Sequence, residues 1–203
     1  IRIQPRIRRV HLAESKQHVS AFRYCALPAM GVFLMLIFMD LATSGLDPAN
    51  GNILEIAALR CDAELNPVDG FTCVIKPRWT ATMVDQVQDM HTRNGLLGEV
   101  HSVSAISTNM AEQELWRWLD KSGTDWQTWA GYGCAFDRAW MKHHMPTIND
   151  RFEPQTMDVG SFVKARAFTG QTPCPIGPGD GRAQAGVMAA VAQARWHLSR
   201  VVA

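Results

Sequence analysis

Three acids stand where they could do chemistry. Asp40 ends the apolar run 32–39 and is followed by turn residues, Thr43-Ser44-Gly45-Leu46-Asp47-Pro48. On its own it reads as a cap for that turn. Asp137 opens a helix and reads as its N-cap, and Asp158 stands just before another helix and reads the same way. His143 and His144 are adjacent, so on a helix they point to different faces and do not form a metal pair. The five cysteines never approach closer than 12 positions and form no CxxC, which argues against a zinc ribbon or a thioredoxin-type site. Free thiols in a reducing compartment are the simpler expectation. Seven tryptophans could stack on bases. Trp116, Trp118, Trp126, Trp129 and Trp140 fall on predicted helices and strands, which favours core or interface roles.

The chain has 203 residues, 47% apolar and 19% charged, enough for one domain with a real core. A net charge of +1 excludes a polycationic nucleic-acid coat and an acidic tail. The longest apolar run, Ala29 to Met39, is 11 residues, too short to cross a bilayer. Charge is unevenly placed. Residues 1–33 carry six Lys/Arg (Arg2, Arg6, Arg8, Arg9, Lys16, Arg23) against Glu14, a balance of +5, so the remainder sums to −4. Such an Arg-rich, acid-poor segment resembles an organelle-targeting sequence, or an arm whose Arg2, Arg6, Arg8 and Arg9 contact RNA. A start at Ile1 is expected of a processed or truncated chain. The expected organisation is a basic extension over 1–31 and a folded domain over 32–203.

The elements follow from periodicity. Residues 32–39 read as a central strand, 52–62 and 71–76 as the next two, with gaps short enough for an antiparallel meander. Helices are predicted over 112–119, 137–144, 161–168 and 183–200, and strands over 126–132 and 154–158. Residues 170–181 hold four glycines and three prolines and read as a loop. No internal repeat is present. A meander followed by alternating strands and helices predicts an α/β fold: a mixed sheet, antiparallel then parallel, flanked by helices and compatible with a ribonuclease H-like architecture.

Several ordered segments resemble the oligoribonucleases, 3′-to-5′ exonucleases of the DEDDh class that degrade very short RNAs. They are Leu36 to Pro48, Ile53-Leu54-Glu55-Ile56-Ala57, Met90 to Leu96, Gly131 to Pro146 around Phe136-Asp137-Arg138, Met157-Asp158-Val159, and the final helix from Arg182. The resemblance covers roughly residues 34–200. It implies two-metal phosphodiester hydrolysis, with four carboxylates holding two Mg²⁺ or Mn²⁺ ions and a histidine as general base. Carried over position by position, the first acid is Asp40 and the third is Asp137. The second falls on Ala42, the base on Gly181 and the last acid on Gly186; a shifted alignment of the last helix gives Gln184 and Ala189 instead. No acid follows Asp180. His91 matches a position near the substrate. Gly133, Gln155 and Gly160 stand where the family has a serine, an arginine and a serine around the RNA phosphates, and a neutral amide does not replace an arginine fork.

These replacements lead to an expectation of an inactive protein. Asp40 and Asp137 would be vestigial, no metal or other cofactor would bind, and loss of a base alone typically costs about 10²–10⁴ in rate. The expected role is a non-catalytic subunit of a larger assembly of proteins, with or without RNA, mitochondrial (a mitoribosome, for example) or otherwise cytoplasmic, with no membrane contact. The family resemblance also implies a homodimer. Two alternatives stand beside it: an active short-RNA exonuclease recruiting Asp47, Glu55 or Asp180 as ligands, and a free RNA-binding module using the arm.

Overall fold

The computed structural model describes residues 36–77, 83–121, 123 and 127–200. The basic extension, its arginines and the boundary expected between residues 31 and 32 lie outside the described residues, as does Trp126.

Five strands form one sheet in the order β3-β2-β1-β4-β5. β1 (Leu36–Thr43), β2 (Ile53–Cys61) and β3 (Pro67–Val74) make the antiparallel meander. β4 (Gln127–Gly131) and β5 (Phe152–Asp158) add to the other edge of β1 in parallel. This is the mixed sheet expected from the sequence. β1 differs in one respect: Asp40 does not end it. Pairing with β2 continues through Asp40↔Ala57 and Ala42↔Glu55 to Thr43↔Ile53, with an irregularity between Ala42 and Thr43. The turn residues therefore follow a strand that extends four residues past the end of its apolar run, because backbone pairing does not require apolar side chains.

Helices cover both faces. α1 (Asp85–Arg93), the short α2 (Leu96–Val100) and α5 (Pro146–Asn149) have no counterpart in the sequence reading; α3 (Thr108–Asp120), α4 (Cys134–His144), α6 (Val159–Phe168) and α7 (Ala183–Leu198) do. Alternation along β1 divides the core. Ile37, Met39 and Leu41 pack with Leu115 and Leu119 of α3 and Trp140 and Met141 of α4. Phe38 and Ala42 pack with Leu96 of α2 and with Ala183, Val187, Ala190, Val191 and Ala194 of α7. The α7 spacing, three and four residues apart, is one helical stripe. The same alternation puts Asp40 on the α7 face.

The tryptophan expectation holds for Trp118, Trp129 and Trp140, which are buried, whereas Trp116 is half-exposed beneath the Arg151 guanidinium, 4.7 Å from its ring centre. Cys61, Cys73, Cys134 and Cys174 are free thiols. Among the described residues no helix is long and apolar enough to cross a membrane.

Candidate active site

Asp40 and Asp137 come together from different elements, β1 and the first turn of α4. Asp137 is not the helix N-cap expected from the sequence. The N-cap is Gly133, in a left-handed conformation at φ 74°, and Asp137 lies one turn inside the helix with its side chain buried. There it accepts a hydrogen bond from the backbone N–H of Leu41, next to Asp40. Burial, then the charge of Glu55, pushes the Asp40 pKa up to about 7. Burial and the nearby Asp40 charge push Asp137 well above the ordinary carboxylate range. Two desolvated carboxylates, one raising the proton affinity of the other, form an electrostatically unfavourable pair, relieved by a proton or a cation.

Asp158 does cap a helix. Its Oδ1 accepts from Gly160 N at 2.8 Å at the start of α6 and from Gly133 N at 3.0 Å, while Oδ2 accepts from Cys134 N at 3.1 Å. One carboxylate thereby gathers the N-termini of α4 and α6 at the end of β5.

Three positions lack the groups that the family resemblance implies for them. Ala42 is buried in the sheet opposite Glu55. Gly186, in the first turn of α7, faces Asp40 so closely that a Cβ would sit 2.2 Å from Asp40 Oδ2. Gly181 has φ 89°, and a Cβ there would meet Met90 Sδ at 2.6 Å. His91 is fully buried, its Nε2 3.0 Å from the Thr43 carbonyl, and so ties α1 to the end of β1.

The acids considered as substitute ligands are engaged elsewhere. Glu55 takes a bidentate ion pair from Arg182, at 2.8 and 3.0 Å, and the backbone N–H of Ala183 at 2.8 Å. Arg182 also donates to both carboxylate oxygens of Glu99, at 2.8 and 3.0 Å. Asp47 accepts from Ala49 N and Asn50 Nδ2 within its own exposed turn. Asp180 accepts from Arg182 N at 3.0 Å. Among the described residues no three of His, Cys, Asp and Glu come together as a metal cage. The pairing of Glu55 with Arg182 was not anticipated from the sequence, since its partners are separated by 127 positions.

The fold is that of the ribonuclease H-like exonucleases. Exonuclease I from Methylocaldum szegediense superposes with a TM-score of 0.62 at 21% identity over 82% of this chain and 40% of its own. Escherichia coli exonuclease I in complex with an oligonucleotide gives 0.58 at 17% identity, over 79% and 39%. In sequence, the oligoribonuclease of Mycobacterium tuberculosis (strain ATCC 25177 / H37Ra) is 32% identical over 149 residues, 68% of this chain and 69% of its own length. That of Mycobacterium leprae is 35% identical over 132 residues, 63% and 61%. No family model matches. The chain belongs to the oligoribonuclease family, and it spans 61% of the length of the M. leprae relative.

These relatives correct one expectation. The replacements at positions 42, 181 and 186 suggested a protein that is not an enzyme. The curated relatives carry the name of an enzyme, oligoribonuclease, and the structural neighbours are exonucleases. A changed donor set within an enzyme family is what the site contains.

Proposed function

We propose that the chain is a divalent-cation-dependent exoribonuclease that shortens very short RNAs from the 3′ end, using one ion at Asp40 and Asp137. The observation that carries this reading is the pairing of half-buried Asp40 with buried Asp137, brought together from β1 and α4 in a family named for that activity. The two-ion, four-carboxylate arrangement does not fit, because Ala42 and Gly186 offer no side-chain carboxylate. A single Mg²⁺ or Mn²⁺ does fit the donor set, since such ions are commonly held by one or two carboxylates and complete their shell with water and substrate phosphate. Bound there, the ion would supply Lewis-acid polarisation of the phosphodiester. Asp40 and Asp137 must both be deprotonated to hold it, and Leu41 N–H keeps Asp137 oriented toward that task. Position 181 is a glycine, so no side chain there can take a proton from the attacking water. Turnover is therefore expected to be slower by about 10²–10⁴ than with a positioned base.

The test is product analysis of 5′-labelled RNAs of two to five nucleotides incubated with the full chain and millimolar Mn²⁺. Stepwise mononucleotide release that disappears in Asp40→Asn and Asp137→Asn supports the reading. Equal release by wild type and both variants, or none from wild type together with no Mn²⁺ binding by calorimetry, overturns it.

A further inference from the structure

At the far end of α7, about 16 Å along the helix axis from Gly186 at 1.5 Å per residue, a second concavity opens between the C-terminal ends of α6 and α7. Its volume is about 310 Å³, and Arg166, Thr169, Gln171, His197 and Arg200 line it together with Phe162. No acidic side chain is among them.

Two features of this cavity have no internal explanation. His197 is 2% exposed, and its Nε2 has no hydrogen-bond partner among the described residues. A buried imidazole nitrogen without a partner is uncommon in a folded protein, and here it shares the state only with His91 Nδ1 among the imidazoles of the described residues. Burial, and then the charges of Arg166 and Arg200, lower its pKa, so the ring is neutral and can present one N–H. The two arginines, meanwhile, spend few of their donors. Arg166 gives Nε to the Thr172 carbonyl at 3.0 Å, and Arg200 gives one terminal nitrogen to the Trp196 carbonyl and Ser199 Oγ at 3.0 and 3.1 Å. Both guanidinium carbons sit on Trp196, 4.7 and 4.2 Å from its ring centre, which fixes the forks in place.

The sign of the site follows from counting charge. Two helix C-termini contribute about half a negative charge each, while two guanidinium groups contribute two full positive charges, leaving a net positive cavity. Fixed arginine forks with a neutral imidazole donor are suited to a tetrahedral oxyanion. We propose that this cavity binds a phosphate monoester, either a free nucleoside 5′-monophosphate or the 5′-phosphate of a short RNA. The site is separate from Asp40 and Asp137 and does not depend on how they act.

Calorimetric titration of the full-length Asp40→Asn variant, which keeps the active-site pair out of the measurement, tests this with adenosine 5′-monophosphate, adenosine, and diadenosine with and without a 5′-phosphate. The expected result is binding of the phosphorylated compounds only. It should weaken by about tenfold or more in Arg166→Gln and Arg200→Gln, at an unchanged melting temperature. Tighter binding of the mononucleotide would assign the free nucleotide as ligand, and tighter binding of the 5′-phosphorylated dinucleotide would assign the RNA end. Binding of adenosine equal to that of its monophosphate, affinity unchanged in both arginine variants, or no binding at millimolar ligand overturns the proposal. A His197→Phe variant adds a second readout: it should retain the fold and lose affinity, and unchanged affinity in it also counts against the site.

Discussion

Gly186 and Asp40 share one space: the carboxylate of Asp40 lies where the first carbon of any side chain at 186 would be, 2.2 Å from its Oδ2. The absence of an acid on α7 and the placement of the acid on β1 are therefore one packing fact. Introducing Gly186→Asp alone forces Asp40 to rotate. Introducing Ala42→Glu with it rebuilds a four-acid set with Asp137. The double variant should bind Mn²⁺ on the order of tenfold or more tightly than wild type, because ligand charge count governs affinity. Mn²⁺ titration by electron paramagnetic resonance reads this directly, and RNA turnover should rise with it.

Arg182 holds the start of α7 to β2 and α2 through Glu55 and Glu99. Glu55 is 1% exposed, so Arg182→Ala leaves a buried charge without its partner. The expected cost is about 3–5 kcal/mol, or roughly 10 °C in melting temperature for a domain of this size. Replacing both members, Arg182→Met with Glu55→Leu, should be much less damaging than Arg182→Ala. Urea unfolding of the two variants checks the difference.

Stability should fall with rising pH because of the site. Asp40 is raised from 3.8 to about 7, and Asp137 is raised as well. The folded chain thus holds protons that the unfolded chain has released, and this contribution is complete below about pH 4. It is lost as pH climbs through the folded value of about 7 for Asp40. Thermal melts across pH 4–8 should show the decline, and Asp40→Asn should flatten it and stabilise the protein at pH 8. Millimolar Mn²⁺ should raise the melting temperature at pH 8 and do little at pH 5.

Gly131 ends β4 against β1, where a Cβ would lie 2.8 Å from the Met39 carbonyl oxygen. That neighbour is backbone and cannot rotate away. Gly131→Ala should cost about 1–3 kcal/mol by overpacking. Because Met39 immediately precedes Asp40, Mn²⁺ affinity should fall as well, a coupling that denaturation and titration of the same variant would reveal.

Much of the architecture was legible in the residues. The run before Asp40, the meander after it and the small-residue stripe of α7 each carry a local period, so strand, turn and helix could be placed from sequence. The misses have more than one cause. α2 and α5 have 5 and 4 residues, too short for a periodic signal; the nine residues of α1 bury only His91, so no apolar stripe marks it; and the strand through Asp40 to Thr43 is held by pairing with β2 despite its polar residue.

The site divides the same way. The amino-acid sequence by itself determined which groups are present: Asp40 and Asp137, with Ala42 and either Gly181 and Gly186 or Gln184 and Ala189 at the positions where the family resemblance implies the remaining groups. Tertiary structure decided what those groups do to one another. It moved Asp137 from a helix cap into the interior beside Asp40, and it removed Glu55 from the pool of possible ligands by pairing it with Arg182. Proton affinity and ion pairing depend on distance and burial between residues far apart in the chain, and a one-dimensional pattern carries neither.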